Sequence, residues 1–139
     1  MAPKTRSEKL KRLVNVQRHL EKIAEGDLAA ATRQRLEIGE SMTVVIEAIG
    51  SVDTVHSLFT HHYSDRFGRL MQKDQQLQGM QKLHEMKLMR ERAKGDRLED
   101  GMKEARTLED REIADNDIYD LIDQQIAMDT TASSKLQKS

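Results

Sequence analysis

Residues 10–49 read LKRLVNVQRHLEKIAEGDLAAATRQRLEIGESMTVVIEAI and contain no proline. Leu10, Leu13, Gln17, Leu20 and Ala24 follow the alternating three-and-four spacing of a heptad seam. Ala24, Leu28, Ala31, Arg35, Ile38, Met42, Val45 and Ile49 continue it. The step from Leu20 to Ala31 is eleven residues rather than seven, a stutter that relaxes a supercoil locally. Gly26 and Gly39 fall inside the stretch, and each weakens a helix by about 1 kcal/mol relative to Ala without breaking it. Ser7, just ahead of the pattern, suits an N-cap. The spacing predicts one helix, helix A, over 7–49, about 64 Å long.

Outward from this stretch, Gly50-Ser51-Val52-Asp53 is the strongest break. Gly50 suits a left-handed helix C-terminus, and Ser51 or Asp53 could cap the next helix. Helical spacing resumes with Val55, Phe59, Tyr63, Phe67, Leu70 and Leu77, then Met80, His84, Leu88, Leu98, Met102 and Ala105. It holds to Ile113, Ile118, Leu121 and Ile126, which predicts helix B over about 54–127. Gly95 suggests a kink, and the Ser/Thr/Lys-rich residues 129–139 suggest a frayed tail.

The expected fold is all-α, an elongated two-helix antiparallel coiled-coil hairpin turning near 50–53, in one domain over 1–139. Equal arms from that turn put residue 10 opposite about residue 93. Helix B would then overhang beyond Gly95, either projecting, folding back as an extra C-terminal helix, or awaiting a partner.

Composition agrees. Of 139 residues, 37% are apolar, 34% charged and only 3% aromatic, too little bulk for a thick core or a β-sandwich. With no cysteine, disulfides, thiolate metal sites and cysteine nucleophiles are excluded. The stretch Met42–Ile49 is the most apolar, far short of the ~20 residues that span a bilayer, and no targeting segment is visible. A cytoplasmic protein is expected.

The net charge of −1 conceals a polarity along the chain. Residues 1–22 hold seven bases against two acids, and residues 96–123 hold eleven acids against four bases. In a hairpin these ends come together with opposite sign. Each exposed pair contributes a few tenths of a kcal/mol, yet a set of them can fix register. The basic end lacks the interleaved aromatics of a base-stacking surface, and the acidic third would repel a polyanion, so nucleic acid is disfavoured.

Catalytic motifs are missing. There is no phosphate-binding loop of the GxxxxGK[ST] type. His84-Glu85 begins like a zinc-binding HExxH but meets Leu88 where the second ligand belongs. His56, His61 and His62 do not share one helical face, and Asp115–Tyr119 lacks the glycine and distal glutamate of a calcium loop. No catalytic residue, metal or cofactor is expected, and the chain is not expected to be an enzyme.

Residues 9–37, KLKRLVNVQRHLEKIAEGDLAAATRQRLE, resemble the opening of the flagellar export proteins FliJ and their virulence counterparts YscO. The aromatic cluster after the break is similar too, as is the Gln/Lys/Arg/Met-rich helix ending in LEDREIADNDIYDLIDQ (108–124). The resemblance covers nearly the whole chain. It implies a non-catalytic coiled-coil stalk that enters the pore of a hexameric secretion ATPase and promotes its assembly or activity. Contacts with the export gate and export chaperones, peripheral to a membrane-bound apparatus, are implied with it.

Carried onto this chain, the resemblance places Lys9, Lys11, Arg12 and Arg18, with Asp110, Glu112 and Asp115, against the ATPase ring. The export-gate contact falls on Phe59, Tyr63, Phe67 and Leu70. A bland reading stands beside each: solvated charged faces, and an aromatic stripe that is core against helix A. The alternative is a stand-alone helical adaptor or export chaperone that binds a partner helix. Met71, Met80, Met86, Met89 and Met102 would give it an adaptable surface.

Overall fold

The computed structural model describes residues 3–50 and 58–137. The fold is all-α: helix α1 spans Arg6–Ile49 and helix α2 spans Thr60–Gln137. No strand occurs among the described residues.

Helix α1 opens on a capping box that the N-cap expectation misplaced. Glu8 N–H donates to Thr5 Oγ1 and Thr5 N–H donates to Glu8 Oε2, both at 3.3 Å, a reciprocal Thr-x-x-Glu pair that satisfies two orphan donors. Thr5, not Ser7, is therefore the cap. At the other end Gly50 N–H bonds Ile46 O at 3.0 Å, and no described glycine has positive φ, so Gly50 does not take the left-handed conformation expected of it. The rest of the turn expected near 50–53, the caps at Ser51 or Asp53, and residues 54–57 of helix B lie outside the described residues.

Helix α2 is one unbroken element of 78 residues. It continues helically through Gly95, and among the described residues no separate C-terminal helix follows. It also continues through the stretch expected to fray. Thr130 and Thr131 turn their hydroxyls back onto the carbonyls of Ile126 and Ala127 at 2.8 Å instead of competing for other backbone groups. Neither proline nor glycine interrupts 129–137.

Contacts divide the chain into two compact units, Met1–Val14 with Arg97–Ser139, and Asn15–Asp96. In the second, Ala24, Ala31 and Val45 of α1 and Leu77 and Leu88 of α2 are buried. Gln17 meets Glu91 and Arg35 meets Asp74, so partners descend along α2 as positions rise along α1. In the first unit, Val14 and Ala105 are buried with Leu10, Leu98 and Met102 half-buried. Ser7 meets Glu109, and a Cβ on Gly101 would touch Leu10 Cδ1 at 3.9 Å. Leu10 thus sits beside 101 rather than 93. Each α1 position thus finds its partner further along α2 than equal arms about 50–53 would bring it, and α2 outruns α1 after Glu109 rather than after Gly95.

Arg18, Ser41 and Ala48 are half-buried beside an inner row of α1 that runs Ser7, Leu10, Val14, Gln17, Glu21, Ala24, Leu28, Ala31, Arg35, Ile38, Met42 and Val45. The row's spacing alternates three and four without interruption, so the stutter between Leu20 and Ala31 does not exist. Leu13 and Leu20, expected on the seam, are 52% and 43% exposed. Val14 and Glu21 take their places. Helix α2 matches with Tyr63, Phe67, Leu70, Asp74, Leu77, Gln81, His84, Leu88, Glu91, Gly95, Leu98, Met102, Ala105 and Glu109, again in strict alternation.

Candidate functional site

A seam this thin holds its register through polar rungs. Arg35 donates from Nε to Asp74 Oδ1 at 3.0 Å and from Nη1 to Gln81 Oε1 at 3.2 Å. Gln17, buried, donates from Nε2 to the carbonyl of Glu91 at 3.1 Å and to its carboxylate. The amide holds the Glu91 carboxyl below its ordinary range, with Lys94 adding to the effect and desolvation opposing it. Ser7 does the same to Glu109: its hydroxyl and its backbone N–H (2.9 Å) both donate to that carboxylate, and Arg106 assists. Among the described residues, no buried side-chain nitrogen or oxygen lacks a partner. Polar groups on a seam position cost stability relative to Leu but penalise every slipped register, where they would lie unpaired.

Gly95 completes this arrangement. It is buried on the seam, and Arg18 and Glu21 cross above it, joined by a 2.6 Å ion pair. A Cβ at 95 would lie 2.7 Å from Arg18 Nη1 and from Glu21 Oε1. Arg18 also reaches Asp96 at 3.0 Å. Arg18, expected to face an ATPase, is thus engaged within the chain.

The other proposed contact residues are placed differently. Lys9, Lys11 and Arg12 are exposed, and Lys9 and Arg12, three apart, share a face that Lys11 does not. Asp110, Glu112 and Asp115 are exposed on α2 beyond the end of α1's cover, with Glu112 and Asp115 on a common side. Ser7 and Glu109 bring the basic and acidic segments side by side, yet among the described residues no ion pair joins Lys9, Lys11 or Arg12 to these acids. Tyr63, Phe67 and Leu70 are half-buried on the inner row of α2, while Phe59 is 50% exposed and accepts Tyr63 N–H through its carbonyl at 3.0 Å. The gate stripe is therefore mostly packing surface.

His61, exposed, lies 3.7 Å from Asp65 one turn on, His84 is half-buried on the seam, and His56 lies outside the described residues. Among the described residues, no group of three or more His, Asp or Glu is placed to hold a metal ion, and no helix is long and apolar enough to cross a membrane. A groove beside Arg35, lined by Thr32, Leu36, Gly39 and Gln81, opens broadly to solvent and encloses nothing.

Sequence reasoning listed Gln17 and Arg35 on the seam but missed Glu21, Asp74, Gln81, Glu91 and Glu109. The available signal was the spacing itself. Once charged residues are admitted to seam positions, the alternation runs unbroken, whereas a purely apolar row needs an insertion. In comparison with known proteins, no protein-family model, curated protein or solved structure matches the chain.

Proposed function

We propose that this chain is a non-catalytic stalk: an antiparallel two-helix coiled-coil hairpin that binds and regulates the hexameric ATPase of a flagellar or type III protein-export apparatus. The export gate and export chaperones are further contacts, and the site of action is the cytoplasmic side of that apparatus. The observation that supports this best is the single polar-laced seam. It holds two long helices together while leaving nearly all charged groups, including Lys9, Lys11 and Arg12, on the outside and uncommitted to a pocket. Such an element acts on partners through its surface, and the resemblance of residues 9–37 and 108–124 to FliJ and YscO supports this choice of partner. On the axis of a ring, a two-helix rod with charged faces can bias the subunit contacts at which nucleotide sites lie.

The adaptor reading has one observation in its favour. Met71, Met80, Met86 and Met89 are 46–70% exposed rather than filling the seam, a soft surface of the kind promiscuous helix binders use. ATP hydrolysis by the cognate hexamer separates the two. A stalk raises turnover and contributes none of its own, and reversing Lys9, Lys11 and Arg12 to Glu removes the stimulation while the helical spectrum stays intact. A hexamer indifferent to saturating chain rules against the stalk and for the adaptor.

A further inference from the structure

In the unit Met1–Val14 with Arg97–Ser139, the cover of α1 ends where Ser7 meets Glu109, and every described residue from Asp110 to Leu136 is exposed. Continuing the inner row of α2 at the same spacing gives Glu112, Asn116, Tyr119, Asp123, Ile126 and Thr130. That face is mostly polar, with only Tyr119 and Ile126 apolar. A more apolar row lies elsewhere: Ala114, Ile118, Leu121, Gln125, Met128 and Ala132, five of the six apolar, repeat at four, three, four, three and four. Each lies two residues beyond its inner-row counterpart, about 200° around the helix, so this second heptad row faces nearly the opposite way. Ile118, Leu121 and Met128 are 54%, 64% and 68% exposed, and Ile122 widens the row at 48%.

What flanks the row decides its occupant. The positions beside it include Asp115, Asp117, Asp120 and Asp129, with Arg111 and Lys135 at its two ends, in a stretch (110–137) with seven acids against two bases. Positions beside a heptad seam set the choice of partner through charge. A second copy docking through the same row would oppose these acids with their own kind, and anionic lipid or nucleic acid would be repelled as well. We propose that the Ala114–Ala132 face of α2 is a docking surface for a cationic amphipathic helix of another protein. An unbroken helix presenting a heptad row packs best against a second helix, whose apolar ridge enters the row while Lys or Arg on its edges meet the aspartates. The row spans five turns, about 27 Å, enough for a partner helix of that length.

The test uses the full chain and a fluorescent 18-residue helical peptide of Leu and Lys in amphipathic order, read by anisotropy. The expected result is saturable one-to-one binding that weakens between about 0.1 M and 1 M salt as screening shortens the reach of the aspartates. An Ile118→Asp, Leu121→Asp variant should bind about tenfold or more weakly, whereas Ile113→Asp, off the row, should bind like the parent. These positions are exposed, so all variants should keep the helical spectrum and the comparison stays valid. Equal binding of a Leu/Glu peptide of the same order, or unchanged binding by the Ile118, Leu121 variant, overturns the proposal. A parent chain that sediments as a dimer, and a monomer on Ile118→Asp, would assign the face to a second copy and overturn it too.

Discussion

Glu91 and Glu109 carry the clearest consequence of the polar seam at the scale of single residues. Both carboxyls are held below their ordinary range by donors on α1, Gln17 for one and Ser7 for the other. A carboxyl with a depressed folded value stabilises the fold above its unfolded value, and that contribution disappears as pH falls through the folded one. Thermal melts should therefore be flat above the ordinary glutamate range and fall progressively below it. Glu109→Gln keeps an acceptor for Ser7 but cannot titrate, so its melting temperature should fall less steeply over the same acid window; a slope identical to the parent's would show that Glu109 carries none of the dependence. Neither glutamate was legible as seam from the sequence, because a charged residue in a charge-rich chain reads as surface until a partner is in view. Ser7 was noticed for the wrong reason. Its position suggested a cap, but Thr5 with Glu8 supplies the cap and frees Ser7 to reach across.

For the helices as elements, existence and type were readable and registration was not. Helix A, expected over 7–49, is α1 at Arg6–Ile49, since a proline-free run with three-and-four spacing admits little else. The inner face was misread by one residue at Leu13 and Leu20. Both are apolar neighbours of the true positions, and an apolar-only criterion prefers them to Glu21. The glycines give a test on the same scale. Nothing lies within 4 Å of a Cβ built on Gly26, Gly39, Gly68 or Gly79. Each Gly→Ala change should then stabilise by about 1 kcal/mol through helix propensity alone, seen as a higher denaturation midpoint with unchanged slope. Gly95→Ala should gain less, because its methyl must displace the Arg18–Glu21 pair. A gain at 95 equal to the other four would show that the pair does not close over the seam as described.

For the whole molecule, the all-α class followed from composition and period, while the pairing of the helices depended on which positions of α1 and α2 stand opposite one another, which no sequence period specifies. The candidate contact residues divide the same way. Lys9, Lys11 and Arg12 are exposed, whereas Arg18, Tyr63, Phe67 and Leu70 are drawn into packing or ion pairs that only the register reveals. The functional reading as a stalk rests on that register, because it decides which charges remain outside. The chain has no cysteine, so the register can be measured without background. Gln17→Cys with Glu91→Cys places two thiols where side chain and backbone now meet; Leu10→Cys with Ala93→Cys places them where equal arms about 50–53 would bring them together. Under mild oxidation, the first pair should form an intramolecular disulfide, seen as a faster band on a non-reducing gel, and the second pair should not. Efficient crosslinking of 10 with 93, and none of 17 with 91, would contradict the account.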